Sequence, residues 1–261
     1  MSGSGSVSCA VEQAALTVEF APEPRRLGLI LLATDMTTEG DIVRAIPPDA
    51  AAVHGTRIAY ANPTTPENLR AMLPRLSEAA ALLVPGRTLA AICYGCTSAS
   101  VVIGEEAVQT AIGAVRPGIP VVTPAAAGAR ALRDLGARRI AIMTPYLPET
   151  TSPVADFFAA AGFEILRAVC LGLEDDREMA RVDAVTILAA AEAADHPEAD
   201  ALFISCTALP AFALAGQIEA RIGKPVVTSN QACIRELRAA AGLATPLAGY
   251  GRLLAGTRVT A

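Results

Sequence analysis

The sequence predicts an α/β protein built from two similar lobes, each with a parallel sheet, and three observations support this fold class. Apolar runs of strand length alternate with longer Ala- and Leu-rich runs of helical period, which is typical of a parallel sheet covered by helices. Three segments recur in the same order at an offset of a little over one hundred residues, which indicates a duplicated unit. Finally, 52% of the 261 residues are hydrophobic, enough to build a substantial core.

The elements follow from the apolar pattern in chain order. The Gly- and Ser-rich start predicts an N-terminal leader over residues 1–24. Longer periodic runs predict helices, for example at residues 66–83 and 178–194. Short apolar runs bounded by turn residues predict eight strands, at residues 27–34, 52–59, 89–93, 120–123, 139–144, 164–169, 201–205 and 225–228.

The internal repeat divides these elements between two lobes. The segment around Arg26 matches the one around Arg139, and Gly118-Ile-Pro-Val-Val-Thr matches Gly223-Lys-Pro-Val-Val-Thr. Between them, Tyr94-Gly-Cys-Thr matches Ile204-Ser-Cys-Thr. We therefore predict two pseudosymmetric, flavodoxin-like lobes, residues 25–124 plus 232–261 and residues 125–231, with the active site in the cleft where their strand ends meet.

Composition narrows the classes of function. The net charge of −5 gives no basic footprint for nucleic acid, and no apolar run of spanning length predicts a membrane segment. The two histidines lack the spacing of metal ligands, which argues against a zinc site. The sequence also lacks the glycine-rich motifs that bind dinucleotides or nucleoside triphosphates. We expect a cytoplasmic protein without a cofactor or metal, whose partner is a small molecule; a homo-oligomer stays open.

Two of the six cysteines stand out because they occupy equivalent places in the repeat. Cys96 and Cys206 each end a predicted strand and precede a threonine, where backbone N–H groups of the next turn favour a thiolate with a lowered pKa. The other reading makes them small buried hydrophobes, which suits Cys93 better. Cys93 and Cys96 also form a C-x-x-C pair, the pattern of redox motifs.

Two thiols on opposite sides of one carbon support two reactions that the residues alone do not separate. One thiolate can remove a proton while the opposite thiol donates one, which inverts the centre. Alternatively, one thiolate can add to an activated double bond, and rotation followed by elimination converts cis to trans. A third hypothesis, from another class, is a binding module that keeps the cleft without the chemistry.

Either reaction places negative charge on a substrate carboxylate, so donors are expected nearby. The hydroxyls and amides of Thr97, Ser98 and Thr207 directly follow the cysteines and are candidates. Asp35 follows the first predicted strand, where a carboxylate can orient a thiol, bind a substrate amine or cap the next helix. Tyr146 ends the equivalent strand of the second lobe.

These residues resemble the aspartate/glutamate racemase superfamily, and more closely its branch of maleate cis-trans isomerases, arylmalonate decarboxylases and ectoine-utilisation protein A. The resemblance spans residues 27–254, and its motifs are Ala33-Thr-Asp, Tyr94-Gly-Cys-Thr-Ser, Thr144-Pro-Tyr, Met179-Ala-Arg-Val-Asp, Ile204-Ser-Cys-Thr and Gly249-Tyr-Gly-Arg-Leu. Three motifs are closest to ectoine-utilisation protein A: Ala33-Thr-Asp, Tyr94-Gly-Cys-Thr-Ser and Val227-Thr-Ser-Asn-Gln. The resemblance implies a cofactor-independent isomerase or racemase for a small carboxylate or dicarboxylate.

By the same resemblance, Cys96 and Cys206 are the catalytic pair, and Thr97, Ser98, Tyr146 and Thr207 bind the carboxylate. The decarboxylases have glycine in place of the first cysteine, so decarboxylation is the less favoured alternative. Two departures stand out. Maleate isomerases usually carry Asn where this chain has Asp35, and glutamate racemases have a His soon after the second Cys-Thr, where this chain continues with Ala208.

Overall fold

The computed structural model describes residues 11–256 and contains eight strands. Interior strands are continuous apolar runs, because both faces of their sheets are covered. The strands are β1 (Arg26–Leu32), β2 (Ala52–Ile58), β3 (Ala91–Tyr94), β4 (Val121–Val122), β5 (Arg139–Thr144), β6 (Glu164–Cys170), β7 (Ala201–Ile204) and β8 (Val226–Thr228).

The helices α1 to α10 fall between these strands, as expected of crossovers between parallel neighbours, and α11 and α12 follow β8. They are α1 (Thr38–Ala45), α2 (Pro66–Arg70), α3 (Leu76–Ala81), α4 (Thr97–Ile103), α5 (Glu105–Gly113), α6 (Pro124–Asp134), α7 (Pro148–Ala160), α8 (Asp176–Met179), α9 (Ala184–Ala194), α10 (Ala215–Ile222), α11 (Ser229–Ala240) and α12 (Arg252–Ala255). Short 3-10 turns lie at Leu73–Arg75 and Phe212–Leu214.

The strands form two parallel sheets with the same order. The first is β2-β1-β3-β4 and the second is β6-β5-β7-β8, so each strand of the first sheet has an equivalent in the second. In the first sheet Leu27 pairs with Ala91, and in the second Ile140 pairs with Ala201. The predicted fold class, two pseudosymmetric parallel α/β lobes, is confirmed.

Two predicted helices are broken in the structure, and each break has a local cause. The predicted helix at 66–83 consists of α2, a 3-10 turn that contains Pro74, and α3. A proline lacks the N–H that a continuous helix needs. The predicted helix at 178–194 is α8 followed by α9, because Asp183 starts a new helix by accepting a hydrogen bond from the Thr186 N–H.

Helix α11 connects the two sheets. Its residues pack against β8 of the second sheet and against α1, β3 and β4 around the first. This contact agrees with the predicted return of the chain from residue 232 to the first lobe, although the division into lobes at particular residues stays a prediction. Residues 11–25 are without regular secondary structure, and the rest of the predicted leader, like residues 257–261, lies outside the described residues.

None of the helices between residues 11 and 256 is long and apolar enough to cross a membrane. The buried core instead lies around the two sheets. It includes Leu27 and Leu29 of β1 and Ile140 and Ile142 of β5, all of which are almost fully buried. These are the central strands, so the segments that follow them are held rigidly at the strand ends.

Candidate active site

The carboxyl ends of the strands meet at a pocket with an empty volume of about 330 Å³. This is where parallel α/β sheets are expected to bind ligands. All seven residues selected from the sequence line this pocket: Asp35, Cys96, Thr97, Ser98, Tyr146, Cys206 and Thr207. The structure therefore brings them together, while their roles stay predictions.

Cys96 reaches the pocket from the end of β3. It has an extended backbone and stands at the N-cap of α4, so the free N–H groups of the first helical turn lie beside it. Gly95 makes the approach to β1 close: its N–H donates to the Ile30 carbonyl, and a Cβ there would lie 2.6 Å from Leu31 Cδ2. The Cys96 Sγ lies 3.8 Å from the Ser98 Oγ.

Cys206 reaches the same pocket from the end of β7 with a different backbone. Its φ of 89° lies in the left-handed region, a conformation that costs a non-glycine residue about 1–3 kcal/mol and is concentrated at functional sites. The Sγ lies 3.9 Å from the Met179 Sδ. The N–H groups of Ala208 and Leu209 also interact with this sulfur and favour its thiolate form.

Burial controls the acidity of both thiols. Burial raises the pKa of Cys96 from 9.0 to about 11, against the opposing effect of the Ala99 N–H and the Ser98 hydroxyl. Burial raises the pKa of Cys206 to about 12, against the Tyr146 hydroxyl and two backbone N–H groups. The expectation of lowered thiol pKa values is wrong, because desolvation of the charged form exceeds the backbone effect.

The two Cys-Thr segments are connected through the start of α11. The Thr97 hydroxyl donates to the Ser229 hydroxyl at 2.8 Å, and the Asn230 amide donates to the Thr207 carbonyl at 3.0 Å. The Thr207 hydroxyl donates across the cleft to the Gly95 carbonyl at 2.9 Å. One helix terminus therefore holds the backbones that carry both cysteines.

Asp35 is buried, and its interactions combine the predicted alternatives. Its carboxylate accepts hydrogen bonds from the Thr37 N–H at 3.0 Å, the Thr38 N–H at 2.9 Å and the Thr38 hydroxyl at 2.6 Å, as a helix cap would. It nevertheless lines the pocket. Burial raises its pKa above the usual value, although these three donors oppose the shift.

Tyr146 follows β5, and its ring is buried with its hydroxyl 3.2 Å from the Ser205 Oγ. Burial and the neighbouring Cys206 raise its pKa well above the ordinary value, so the hydroxyl keeps its proton and stays available as a donor. Thr207 and Ser98 are also buried beside the thiols. This group supplies neutral donors around both sulfurs.

A second set of residues at the pocket was not selected from the sequence. Asp176, at the start of α8, is 5% exposed. It accepts hydrogen bonds from the Thr34 hydroxyl and, at 2.9 Å, from the Asn62 amide, so it connects the second lobe to the segments after β1 and β2. The motif that includes Met179 pointed to this region, but a four-residue helix in a loop has no periodic signal of its own.

The loop after β2 closes over the pocket. Tyr60 and Thr64 line it, and the Tyr60 hydroxyl donates to the Thr64 hydroxyl at 2.8 Å. Besides the bonds of Asn62 to Asp175 and Asp176, two hydrogen bonds of Thr64 fasten this loop to the second lobe. The Thr64 N–H donates to the Glu174 carbonyl at 2.8 Å, and the Thr150 hydroxyl donates to the Thr64 carbonyl at 2.7 Å. As a result, Cys96 and Cys206 are only 6% and 8% exposed.

Comparisons with known proteins agree with this geometry. The family model described as arylmalonate decarboxylase matches residues 43–254. A maleate isomerase from Nocardia farcinica is 29% identical over 241 residues, covering 88% of this chain and 95% of the relative. An arylmalonate decarboxylase from Bordetella bronchiseptica is 36% identical over 141 residues, covering 52% of this chain and 58% of the relative.

A solved structure of the Nocardia farcinica maleate cis-trans isomerase, a cysteine-to-serine mutant with a covalently bound succinylcysteine intermediate, has the same fold. The TM-score is 0.80 at 27% identity, and the match covers 91% of this chain and 99% of that one. These relatives confirm the predicted class, an isomerase that uses cysteine. The chain belongs to the arylmalonate decarboxylase family.

Proposed function

We propose that the chain is a cis-trans isomerase of a small unsaturated carboxylate, with Cys96 as the nucleophile and Cys206 as the acid and base. The observation that carries the proposal is that both thiols line one pocket and are buried there, each with backbone N–H groups of its own segment beside it. The maleate isomerases among the relatives support this reaction class. Maleate itself is the first substrate to test.

The roles follow from the difference between the two thiols. Cys96 stands at the N-cap of the regular helix α4 with the Ser98 hydroxyl and the Ala99 N–H beside its sulfur, which suits a thiolate nucleophile, whereas Cys206 lies beside the Met179 sulfur. The Cys96 thiolate adds to the carbon β to the carboxylate, and the Cys206 thiol protonates the α-carbon. After rotation about the new single bond, the Cys206 thiolate removes the α-proton, the double bond forms again, and the Cys96 thiolate leaves.

Addition moves negative charge onto the substrate carboxylate, which the neutral donors of the pocket stabilise. We assign this role to the hydroxyl of Tyr146 and to the segments that begin at Thr97 and Thr207, with Ser98 beside the nucleophile. Because both thiols are mostly protonated in the resting pocket, Cys96 reacts from the small fraction of molecules in which its proton has passed to solvent. The Cys206 proton, added to the α-carbon and later removed from it, then balances the rest of the cycle. A closed loop that excludes water strengthens each of these electrostatic interactions.

The test is covalent trapping. The Cys206→Ser variant keeps the Cys96 nucleophile but is a poor proton acceptor, so with maleate it should accumulate an adduct on Cys96, detected by intact mass and peptide mass spectrometry. Wild type should convert maleate to fumarate, visible by proton NMR. An unmodified Cys96 in that variant, together with conversion by wild type, would contradict the covalent route.

Two-base racemisation is the second candidate, favoured by the position of Asp35 at the pocket, where a carboxylate can bind a substrate amine. It predicts that solvent deuterium enters the α-carbon of an amino acid during stereoinversion in deuterated water. Decarboxylation of an arylmalonate and binding without catalysis are the remaining alternatives. Release of carbon dioxide would identify decarboxylation. Thermal stabilisation by a carboxylate without turnover would identify binding without catalysis.

The finer assignments are also proposals. The motifs that resemble ectoine-utilisation protein A favour a role in ectoine utilisation, with diaminobutyrate derivatives as substrates to test beside maleate. The acidic net charge of −5 and the unpaired cysteines of the described residues support a reducing, cytoplasmic location. Size-exclusion chromatography with light scattering would decide between a monomer and a homo-oligomer.

A further inference from the structure

The charges that line the pocket are of one sign. Asp35 and Asp176 both reach it, and both are buried, at 6% and 5% exposure. Of the described residues that line the pocket, none is Arg, Lys or His. A substrate with two carboxylates would therefore bring two further negative charges to a closed space that already holds two buried carboxyl groups.

The hydrogen-bond partners of the Asp176 carboxylate carry no charge, and Arg177, a cation that acts on it, is exposed and outside the pocket lining. The two hydrogen bonds to the carboxylate come from the Thr34 hydroxyl and the Asn62 amide, both neutral. Asp35 is similar, since its donors are two backbone N–H groups and the Thr38 hydroxyl. The Arg57 charge also acts on the Asp35 carboxylate and lowers its pKa, but less than burial raises it, and the Arg57 side chain donates to the Asp35 carbonyl and forms an ion pair with Glu39.

The carboxylates and the neutral donors come from different strand ends. Asp35 follows β1, and Asp176 lies in the connection after β6. Thr97 and Thr207, with the N–H groups around the sulfurs, follow β3 and β7. The pocket therefore offers hydrogen-bond donors for one substrate carboxylate and, at other strand ends, hydrogen-bond acceptors for a substrate group that donates.

We infer that the substrate is a small monocarboxylate whose second polar group is an N–H donor, an ammonium or an amide, and that Asp176 and Asp35 select this group against a second carboxylate. The inference rests on the proposed function, because it takes the two-cysteine pocket as the substrate site. The carboxylate of an aspartate accepts a hydrogen bond from an ammonium or an amide, whereas it repels a substrate carboxylate in the same pocket. Each carboxyl oxygen of Asp176 accepts one hydrogen bond, from Thr34 or from Asn62, and has a second lone pair for the substrate.

Binding of unreactive analogues tests the inference without turnover. Succinate, succinamate and 3-aminopropanoate have no double bond, and they differ in carrying a second carboxylate, an amide or an ammonium group. Isothermal titration calorimetry on the full chain at pH 7.5 should give succinamate or 3-aminopropanoate a dissociation constant at least about tenfold lower than that of succinate. Equal affinities for all three, or no measurable binding by any of them, would overturn the inference.

Matched variants assign the effect to the pocket. Asp176→Asn keeps one acceptor oxygen and should shift the preference toward succinate by about tenfold. Glu178→Gln removes the same charge from an exposed position two residues along α8 and should leave the preference unchanged. An equal change in both variants would contradict a local role for Asp176.

Asp35→Asn provides a second variant if Asp176→Asn unfolds. The amide keeps an oxygen for the N–H groups of Thr37 and Thr38, and the substitution should shift the preference toward succinate as well.

Turnover separates this inference from the proposed function. If succinamate binds best but neither maleate nor its half-amide is isomerised, only the proposed function fails. If maleate and its half-amide are isomerised with equal kcat/KM and succinate binds as well as succinamate, only the inference fails.

Discussion

The two cysteine sites have the same sequence pattern but different local structures. Cys96 has an extended backbone and leads directly into α4, whose first turn offers its N–H groups in regular helical order. Cys206 has a φ of 89° and leads into an irregular segment, with a 3-10 turn at Phe212–Leu214 before α10 begins. The repeat preserves the strand, the cysteine and the threonine, but not the turn that follows.

The difference shows how a duplicated unit can supply two unlike groups. The helical turn leaves Cys96 beside the Ser98 hydroxyl, with a pKa raised to about 11. The strained turn places Cys206 beside the apolar Met179 sulfur, with a pKa raised to about 12. The hydroxyl and helical N–H groups beside Cys96 suit a nucleophile, and the apolar neighbour of Cys206 suits a thiol that holds its proton, so the asymmetry of the two sites divides the chemistry.

Removing either sulfur should have the largest effect and tests whether both cysteines take part in the reaction. Cys96→Ala and Cys206→Ala should each reduce kcat by roughly 10³-fold or more, because nucleophile and acid-base group act in the same reaction. The measurement is turnover of whichever candidate substrate wild type converts. The two single variants should also fail differently, since only the variant that retains Cys96 can form an adduct.

Cys170→Ala is the matched control, because Cys170 ends β6 outside the pocket and is partly buried. It should retain wild-type kcat. Full activity in either Cys96→Ala or Cys206→Ala would rule out the paired mechanism. Thermal unfolding of each variant separates a chemical loss from a folding defect.

The positions of the two sulfurs could be predicted from the sequence because the repeat records them directly. Strand runs such as Arg139–Thr144 were also found at their exact bounds, since an apolar run ended by turn residues is a local signal. The broken helices show the limit: Pro74 and Asp183 are single residues within otherwise helical patterns. A periodicity argument averages over such residues.

Interactions between the lobes could not be predicted in the same way. Asp176 and Asn62 meet across a gap of 114 residues, in loops without a repeated motif. Ser229 and Asn230 follow the third repeated segment, so their neighbourhood was visible but not their bonds to Thr97 and Thr207. The thiol pKa values depended on burial by the closed loop, which outweighed the N–H effect that the sequence suggested.

Selective alkylation measures the inequality of the two thiols. At pH 8 the thiolate fraction of Cys96 should exceed that of Cys206 about tenfold, because their pKa values of about 11 and about 12 differ by one unit. Iodoacetamide should therefore modify Cys96 faster, by about threefold because the less acidic thiolate is the more nucleophilic, as followed by peptide mass spectrometry. In urea the two rates should converge, and faster modification of Cys206 in the folded protein would reverse the assigned roles.

Loosening the loop should change access to both thiols together. Thr150→Val removes the hydroxyl that donates to the Thr64 carbonyl, a loss of about 1 kcal/mol in closing free energy. We expect KM and both alkylation rates to rise about fivefold, with the ratio of the two rates unchanged. Ser152→Ala is the control, because Ser152 is exposed and donates back to the Pro148 carbonyl of its own helix. A change in the ratio would mean that the loop, rather than the turns, sets the inequality.

The most local effect concerns the support of the second site alone. Asp41 accepts a hydrogen bond from the Asn230 amide, which also donates to the Thr207 carbonyl, and burial raises the pKa of Asp41 from 3.8 to about 6. The folded state therefore holds this proton more tightly than the unfolded state, so the stabilisation is complete below pH 3.8 and is lost as the pH rises through about 6.

Asp41→Asn should abolish that loss. Relative to the variant, wild type should lose about 1–2 kcal/mol of unfolding free energy between pH 4 and pH 6.5, measured by urea denaturation. Asp49→Asn, an exposed substitution after the same helix, should retain the wild-type profile. Asn230 contacts Thr207 beside Cys206, whereas Ser229 contacts Thr97 beside Cys96. Asp41→Asn should therefore alter the alkylation rate of Cys206 and leave that of Cys96 unchanged. Equal changes in both rates would show that the two sites share this support.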